Sequence, residues 1–254
     1  MGDVSTVSTP SWLPALSHVS FVVNRFEESL DPWGPVAPLT YMYVKHDTPQ
    51  ANDSVQHDSF REYNLLPNTG REGRTYCQHI VDHYDSLEDI IIFAQAAPFD
   101  GLLSPAVNTT EQMLEIALME PSPEFAPVTI FNNDLIHDLA QWSKINWSAP
   151  NEAYWITPSE VISLALAPFD MAQYWQYIFG ETHPPAVRVS HGGTFAVRRE
   201  AIVQHPKSLY QRCLDRFECC GQNVDNPEVG FFLERTWLAI WSRKFWLNKI
   251  QIPK

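Results

Sequence analysis

Three short apolar runs constrain this chain more than any other feature: HVSFVVNRF at 18–26, TYMYVKH at 40–46 and the IIIF of SLEDIIIFAQ at 90–93. Each is too short for a long helix and rich in β-branched or aromatic residues, the pattern of a strand covered on both faces. The first run ends in Asn24 and Arg25, the second ends in charge, and Gln95 lies just past the third. Three strands therefore deliver polar groups to one edge, which is where open α/β sheets bind ligands. The segment between the second run and Arg61 is polar and reads as a loop.

The stretch NTGREGRTYCQHIVDHY, residues 68–84, crowds charges around few apolar positions. From Thr75 onward Tyr76, Ile80, Val81 and Tyr84 recur at helical spacing, which predicts an amphipathic helix from Thr75 to Tyr84. Gly70 and Gly73 let the preceding backbone bend and approach a ligand. The unpaired amides of a first helical turn add hydrogen-bond donors. Arg71 then precedes the helix in the glycine turn, free to swing toward the sheet edge, and Arg74 begins the helix. The plain alternative is that both arginines pair with Glu72, Asp82 or Glu234 and lock the helix onto the sheet.

With 254 residues, 44% of them hydrophobic, the chain is long enough for one large core, so a single α/β domain over 1–254 is expected, with a variable aromatic-rich insertion around 100–180. A net charge of -13 argues against nucleic acid and anionic membrane as partners. No window reaches the roughly 18 apolar residues of a membrane span, and the N-terminal stretch lacks a basic start, so a cytoplasmic protein is expected. Cys77, Cys213, Cys219 and Cys220 have no paired CxxC spacing and read as reduced thiols.

Helical spacing over Thr110–Met119 is followed by a proline-rich break and by VTIF at 128–131, a candidate strand. Between Trp142 and Tyr177 the rings are dense and either fill the core or line an apolar pocket. The segment VRVSHGGTFAVRREAI, 187–202, reads as strand, glycine turn, second strand and helix start, with His191 just before the turn. Farther on, GFFLERTWLAIW places Glu234 within an aromatic helix, where a buried acid needs a partner; an arginine from the 71–74 turn is the expected one.

The order VVNRFEESLDPW, LPNTGREGRTYCQHIVDHYDSLEDIIIFAQ, GGTFAVRREAIVQHPKSLYQRCL and NPEVGFFLERTWLAIW resembles a fungal family known only as a domain of unknown function. That family is distantly similar to GT-A glycosyltransferases, which implies a GT-A-like, Rossmann-like mixed sheet flanked by helices. A fold does not fix an activity. GT-A enzymes hold a nucleotide-sugar diphosphate through a metal on an Asp-x-Asp motif after the mid-chain strand, and here that position reads Phe93-Ala94-Gln95-Ala96-Ala97. No HExxH, GxSxG or GxGxxG is present, so no metal and no cofactor is expected; His79 and His83, at i, i+4, lack an evident third ligand.

The candidate catalytic residues are Arg71, Arg74, Gln95, His191 and Glu234. Asn24 and Arg25, with the rings of Tyr76, Phe99, Trp155, Phe195 and Trp237, are the candidate substrate-binding set. A polar edge beside an aromatic wall suits an apolar small molecule carrying one or two oxygens. Two enzyme classes follow. One is a cofactor-independent cyclase of secondary metabolism, such as an intramolecular Diels-Alderase on a terpenoid or polyketide, which needs orientation and one hydrogen bond to a carbonyl. The other is a glycosyltransferase without the usual metal site, its arginines around the diphosphate. A small-molecule-binding protein is the non-enzymatic alternative.

Overall fold

The computed structural model describes residues 16–46, 53–99, 107–119, 128–131, 134–138, 163–190 and 193–246. The apolar runs become β1 (Val19–Arg25), β2 (Thr40–Val44) and β4 (Ile90–Gln95). The remaining strands are β3 (Glu62–Leu65), β5 (Val128–Ile130), β6 (Asp134–Asp138), β7 (Ala186–Ser190) and β8 (Phe195–Arg198). Six of them form one mixed sheet in the order β3-β2-β1-β4-β8-β5, and β6 and β7 form a two-stranded sheet. Strands β3, β2, β1 and β4 run parallel, while β8 is antiparallel to both of its neighbours.

Burial on both faces explains why the central strands are mostly apolar at successive positions. Val22, Tyr41, Tyr43, Ile91, Phe93, Phe195 and Val197 join one buried cluster, and Phe21, Val23, Met42, Ile90, Ile92 and Ala196 join another. With a side-chain period of two, these are the two faces of the sheet. The first cluster takes in residues of α1 (Arg71–His83), α3 (Met171–Phe179), α5 (Lys207–Glu218) and α6 (Glu228–Trp246); the second takes in the 3-10 helix Asp31–Leu39 and α2 (Thr110–Leu118). A short helix, α4 (Arg199–Val203), follows β8.

Several expectations change. Helix α1 begins at Arg71 rather than Thr75, because Gly70, with φ of 70°, caps it from a left-handed conformation. Gly73 serves packing rather than ligand approach: a Cβ there would stand 3.1 Å from a Leu233 methyl. The strands on either side of the Gly192-Gly193 pair go to different sheets, β7 with β6 and β8 with β4 and β5. Edge strand β3 and the proline-containing 3-10 helix answer to no apolar run. Trp142, Trp147, Tyr154, Trp155, His191 and Gly192 lie outside the described residues.

Candidate functional site

Strands β2 and β3 stack on one side of β1 and β4 on the other, so the chain's direction of travel across the sheet reverses between β1 and β4. A crevice opens at the carboxyl ends of parallel strands at such a point. Here it is a pocket of about 370 Å³ lined by Asn24, Lys45, Arg71, Glu72 and Gln95, with Phe26, Glu28 and Asn68 from the strand ends and Ser163, Asp225 and Asn226 from later loops. Asn24 and Gln95 are register neighbours on β1 and β4, which sets two carboxamides side by side on the pocket floor. The Thr75 hydroxyl donates to Asn24 Oδ1 at 2.7 Å, tying α1 to β1 and leaving the Asn24 amide nitrogen as a donor.

Arg71 reaches this pocket through an unusual piece of backbone. Gly70 and Arg71 are both left-handed, with φ of 70° and 50°. For a non-glycine residue that conformation costs on the order of 1 kcal/mol and persists only when its surroundings impose it. They do so here. The Gly70 amide donates to the Val224 carbonyl at 2.7 Å, and the buried Lys45 ammonium donates to the Thr69 carbonyl at 2.5 Å and to the Arg71 carbonyl. The Arg71 guanidinium lies over the Phe231 ring at 4.9 Å, donates to Asn226 Oδ1 at 3.1 Å and stands 3.8 Å from the Glu72 carboxylate.

Lys45 is the other cation of the pocket and the residue that sequence reasoning passed over. Its signal was present, since it is the charge that ends the second apolar run. Burial pushes its ammonium down to about 7, with Glu72 raising it and Arg74 and Arg71 lowering it further. An anion entering the pocket would supply the countercharge that burial withholds. Asn68, Asp225 and Asn226 were also missed: Asn68 stands just before the glycine turn with no pattern to mark it, and Asp225 and Asn226 come from a loop distant in sequence.

The other expected site residues sit elsewhere. Arg25 is buried, donates to the Glu28 carbonyl at 2.7 Å and stands 3.7 Å from Asp53, so it pins the loop after β1. Arg74 turns to Glu218 of α5 at 3.2 Å. Glu234 pairs with the fully buried Arg235, its neighbour on α6. Tyr76, Phe195 and Trp237 are core residues: Tyr76 packs on Phe93 at 4.8 Å and Trp237 stacks on Trp241 at 4.8 Å. Phe99 packs against the cluster on the α2 side of the sheet. None of these four rings lines the pocket. His79 and His83 stack on each other at 4.5 Å beside Tyr41, and the buried His79 ring is held well below its ordinary range, chiefly by desolvation. Among the described residues no three His, Cys, Asp or Glu side chains gather to hold a metal ion. Within them, too, no helix is long and apolar enough to cross a membrane.

The family described as protein of unknown function (DUF3431) matches residues 40–116 and 145–251, well over half of the chain. The chain belongs to that family. No curated protein and no solved structure matches it.

Proposed function

We propose that this member of the DUF3431 family is a glycosyltransferase whose diphosphate-linked sugar donor sits at the carboxyl ends of β1, β2 and β4, with Arg71 and Lys45 facing the phosphates. The observation that carries this is the strained turn: a left-handed Arg71, held by Lys45 and Val224, is aimed into a pocket lined mainly by carboxamides and carboxylates, with Lys45 as its second cation. A mixed sheet ordered β3-β2-β1-β4-β8-β5, with its one antiparallel strand beside β4, supports a GT-A-like scaffold. Two cations within hydrogen-bonding reach of a diphosphate stabilise the charge that builds on the leaving group, the role a metal takes in the Asp-x-Asp enzymes. Asn24, Gln95 and Asn226 present the donors and acceptors that sugar hydroxyls need. Glu72 and Asp225 are the carboxylates placed to take a proton from an acceptor hydroxyl.

The polar lining favours transfer over cyclisation of an apolar chain: of the rings expected to form an apolar wall, Tyr76, Phe195 and Trp237 are core residues and Phe99 packs on the α2 side of the sheet. The test is a turnover assay of a panel of nucleotide sugars, measuring release of the nucleoside diphosphate. Arg71→Ala is expected to lower the rate by roughly ten- to a thousandfold, about 1.4 to 4 kcal/mol, with the melting temperature of the parent. Full activity in Arg71→Ala, or conversion of an apolar polyene by the parent instead, would contradict the assignment.

A further inference from the structure

Away from that pocket, a groove of about 660 Å³ runs between α3 and α5, lined by Gln173, Gln176, Tyr177, His183 and Arg216. The Arg216 guanidinium is layered between two rings, 3.5 Å from the centre of Tyr177 and 4.7 Å from that of Phe169. Other arginines of the described residues meet carboxylates or carbonyls: Arg61 meets Glu88, Arg74 meets Glu218, Arg199 meets Asp89 and Arg212 meets the Ile178 carbonyl. Arg216 meets a thiol instead, its Nη1 lying 3.9 Å from Cys219 Sγ. The nearest acids in sequence are engaged elsewhere, Asp215 with the Tyr177 hydroxyl at 3.2 Å and Glu218 with Arg74. In a chain with 30 acidic and 17 basic residues, a cation with no oxygen partner among the described residues, beside a groove, is a place for an external anion.

The sulfur beside it is accessible. Cys219 is half-buried, Cys220 is exposed, and both are free thiols. Cys220 and Gly221 are left-handed, with φ of 61° and 77°, so the chain turns sharply away from the end of α5 and leaves the two sulfurs at its tip. Of the two, Cys219 is the sulfur beside the guanidinium, 3.9 Å from Arg216 Nη1, and so the one placed to attack.

We propose that Cys219 is a thiol–disulfide exchange site for a small disulfide bearing carboxylates, which Arg216 seats in the groove between α3 and α5. The step balances as an exchange. Cys219 loses its proton to solvent and its sulfur attacks one sulfur of the incoming disulfide. That S–S bond breaks, the departing thiolate takes up a proton, and the Cys219 sulfur is oxidised to the mixed disulfide as the departing sulfur is reduced. The guanidinium, flattened between Phe169 and Tyr177, meets a carboxylate edge-on, and Gln173 and Gln176 line the path to it.

The test uses the full chain with glutathione disulfide, and with 2-hydroxyethyl disulfide as an uncharged counterpart, followed by peptide mass spectrometry. The expected result is one glutathionyl group per chain on Cys219, kept in Cys220→Ser and lost in Cys219→Ser. Glutathione disulfide should outpace the uncharged reagent on the parent protein by about tenfold, and Arg216→Gln should remove that advantage while Arg216→Lys keeps most of it. Should Arg216→Gln fail to fold, the two reagents compared on the parent decide. Equal rates for both, an adduct on Cys220 that survives Cys219→Ser, or no adduct at all would overturn the proposal.

Discussion

Within a few residues the same strands serve two opposed environments. At Val22 and Phe93, β1 and β4 lie under a layer of rings: Tyr76, Phe195, Trp237 and Trp241 are each at most 1% exposed. At Asn24 and Gln95, near the carboxyl ends of the same two strands, the lining is polar and partly open. The comparison teaches that ring density and ligand binding are separate signals in this chain. Large aromatics go where they bury most area, and the strand ends, where the ladder stops and backbone groups need other partners, collect the polar side chains.

The sharpest way to break the comparison is to remove a ring. Trp237→Ala deletes a fully buried side chain stacked on Trp241, and should cost about 3 to 5 kcal/mol, read as a fall in the denaturation midpoint. A loss under about 1 kcal/mol would mean the ring is no part of a packed core, and would return it to the candidate pocket wall. Next in size is Gly70→Ala. Its Cβ would meet Arg74 Cβ at 2.5 Å and Phe217 Cδ1 at 2.8 Å in a left-handed backbone, so a loss of about 1 to 3 kcal/mol is expected, together with weakened ligand binding. Stability loss without binding loss would separate the turn from the site.

Lys45 offers a smaller effect with a defined sign. Folding lowers its proton affinity from an ordinary 10.5 to about 7, so between these values the unfolded chain holds the extra proton. The Lys45 contribution to stability therefore rises as pH increases from about 7 toward 10.5, at no more than one proton's worth, about 1.4 kcal/mol per pH unit. The slope of stability against pH in that window should be shallower in Lys45→Met than in the parent. Identical slopes would show that the ammonium is not buried.

Legibility followed burial. Strands β1, β2 and β4 were readable because both faces are covered and most of their positions are apolar, and α1 and α6 because their apolar residues recur at helical spacing. Strand β3 was not: Glu62–Leu65 lies on the sheet edge and Leu65 is 63% exposed, so no apolar run marks it. The 3-10 helix Asp31–Leu39, with Pro35 and Pro38 inside it, looks like a loop in sequence yet buries Trp33, Val36 and Leu39 against the sheet. In the site, Asn24, Gln95 and Arg71 could be named from strand ends and the glycine turn. Asn226 could not, because its place beside Arg71 is made by a contact across 155 positions. Glu234 was legible as an acid that needs a partner within an aromatic stripe, but the adjacent Arg235, which pairs with it, was not named.

The central claim is that the two arginines of one glycine turn have different duties, Arg71 toward ligand and Arg74 toward α5. Titration calorimetry of a nucleoside diphosphate against the parent, Arg71→Ala and Arg74→Ala tests it most directly. The account predicts affinity reduced by about tenfold or more in Arg71→Ala, about 1.4 kcal/mol, and changed less than about twofold in Arg74→Ala, whose loss of the Glu218 pair should cost no more than about 1 kcal/mol of stability. Equal affinities in all three proteins, or a larger loss in Arg74→Ala than in Arg71→Ala, would contradict it.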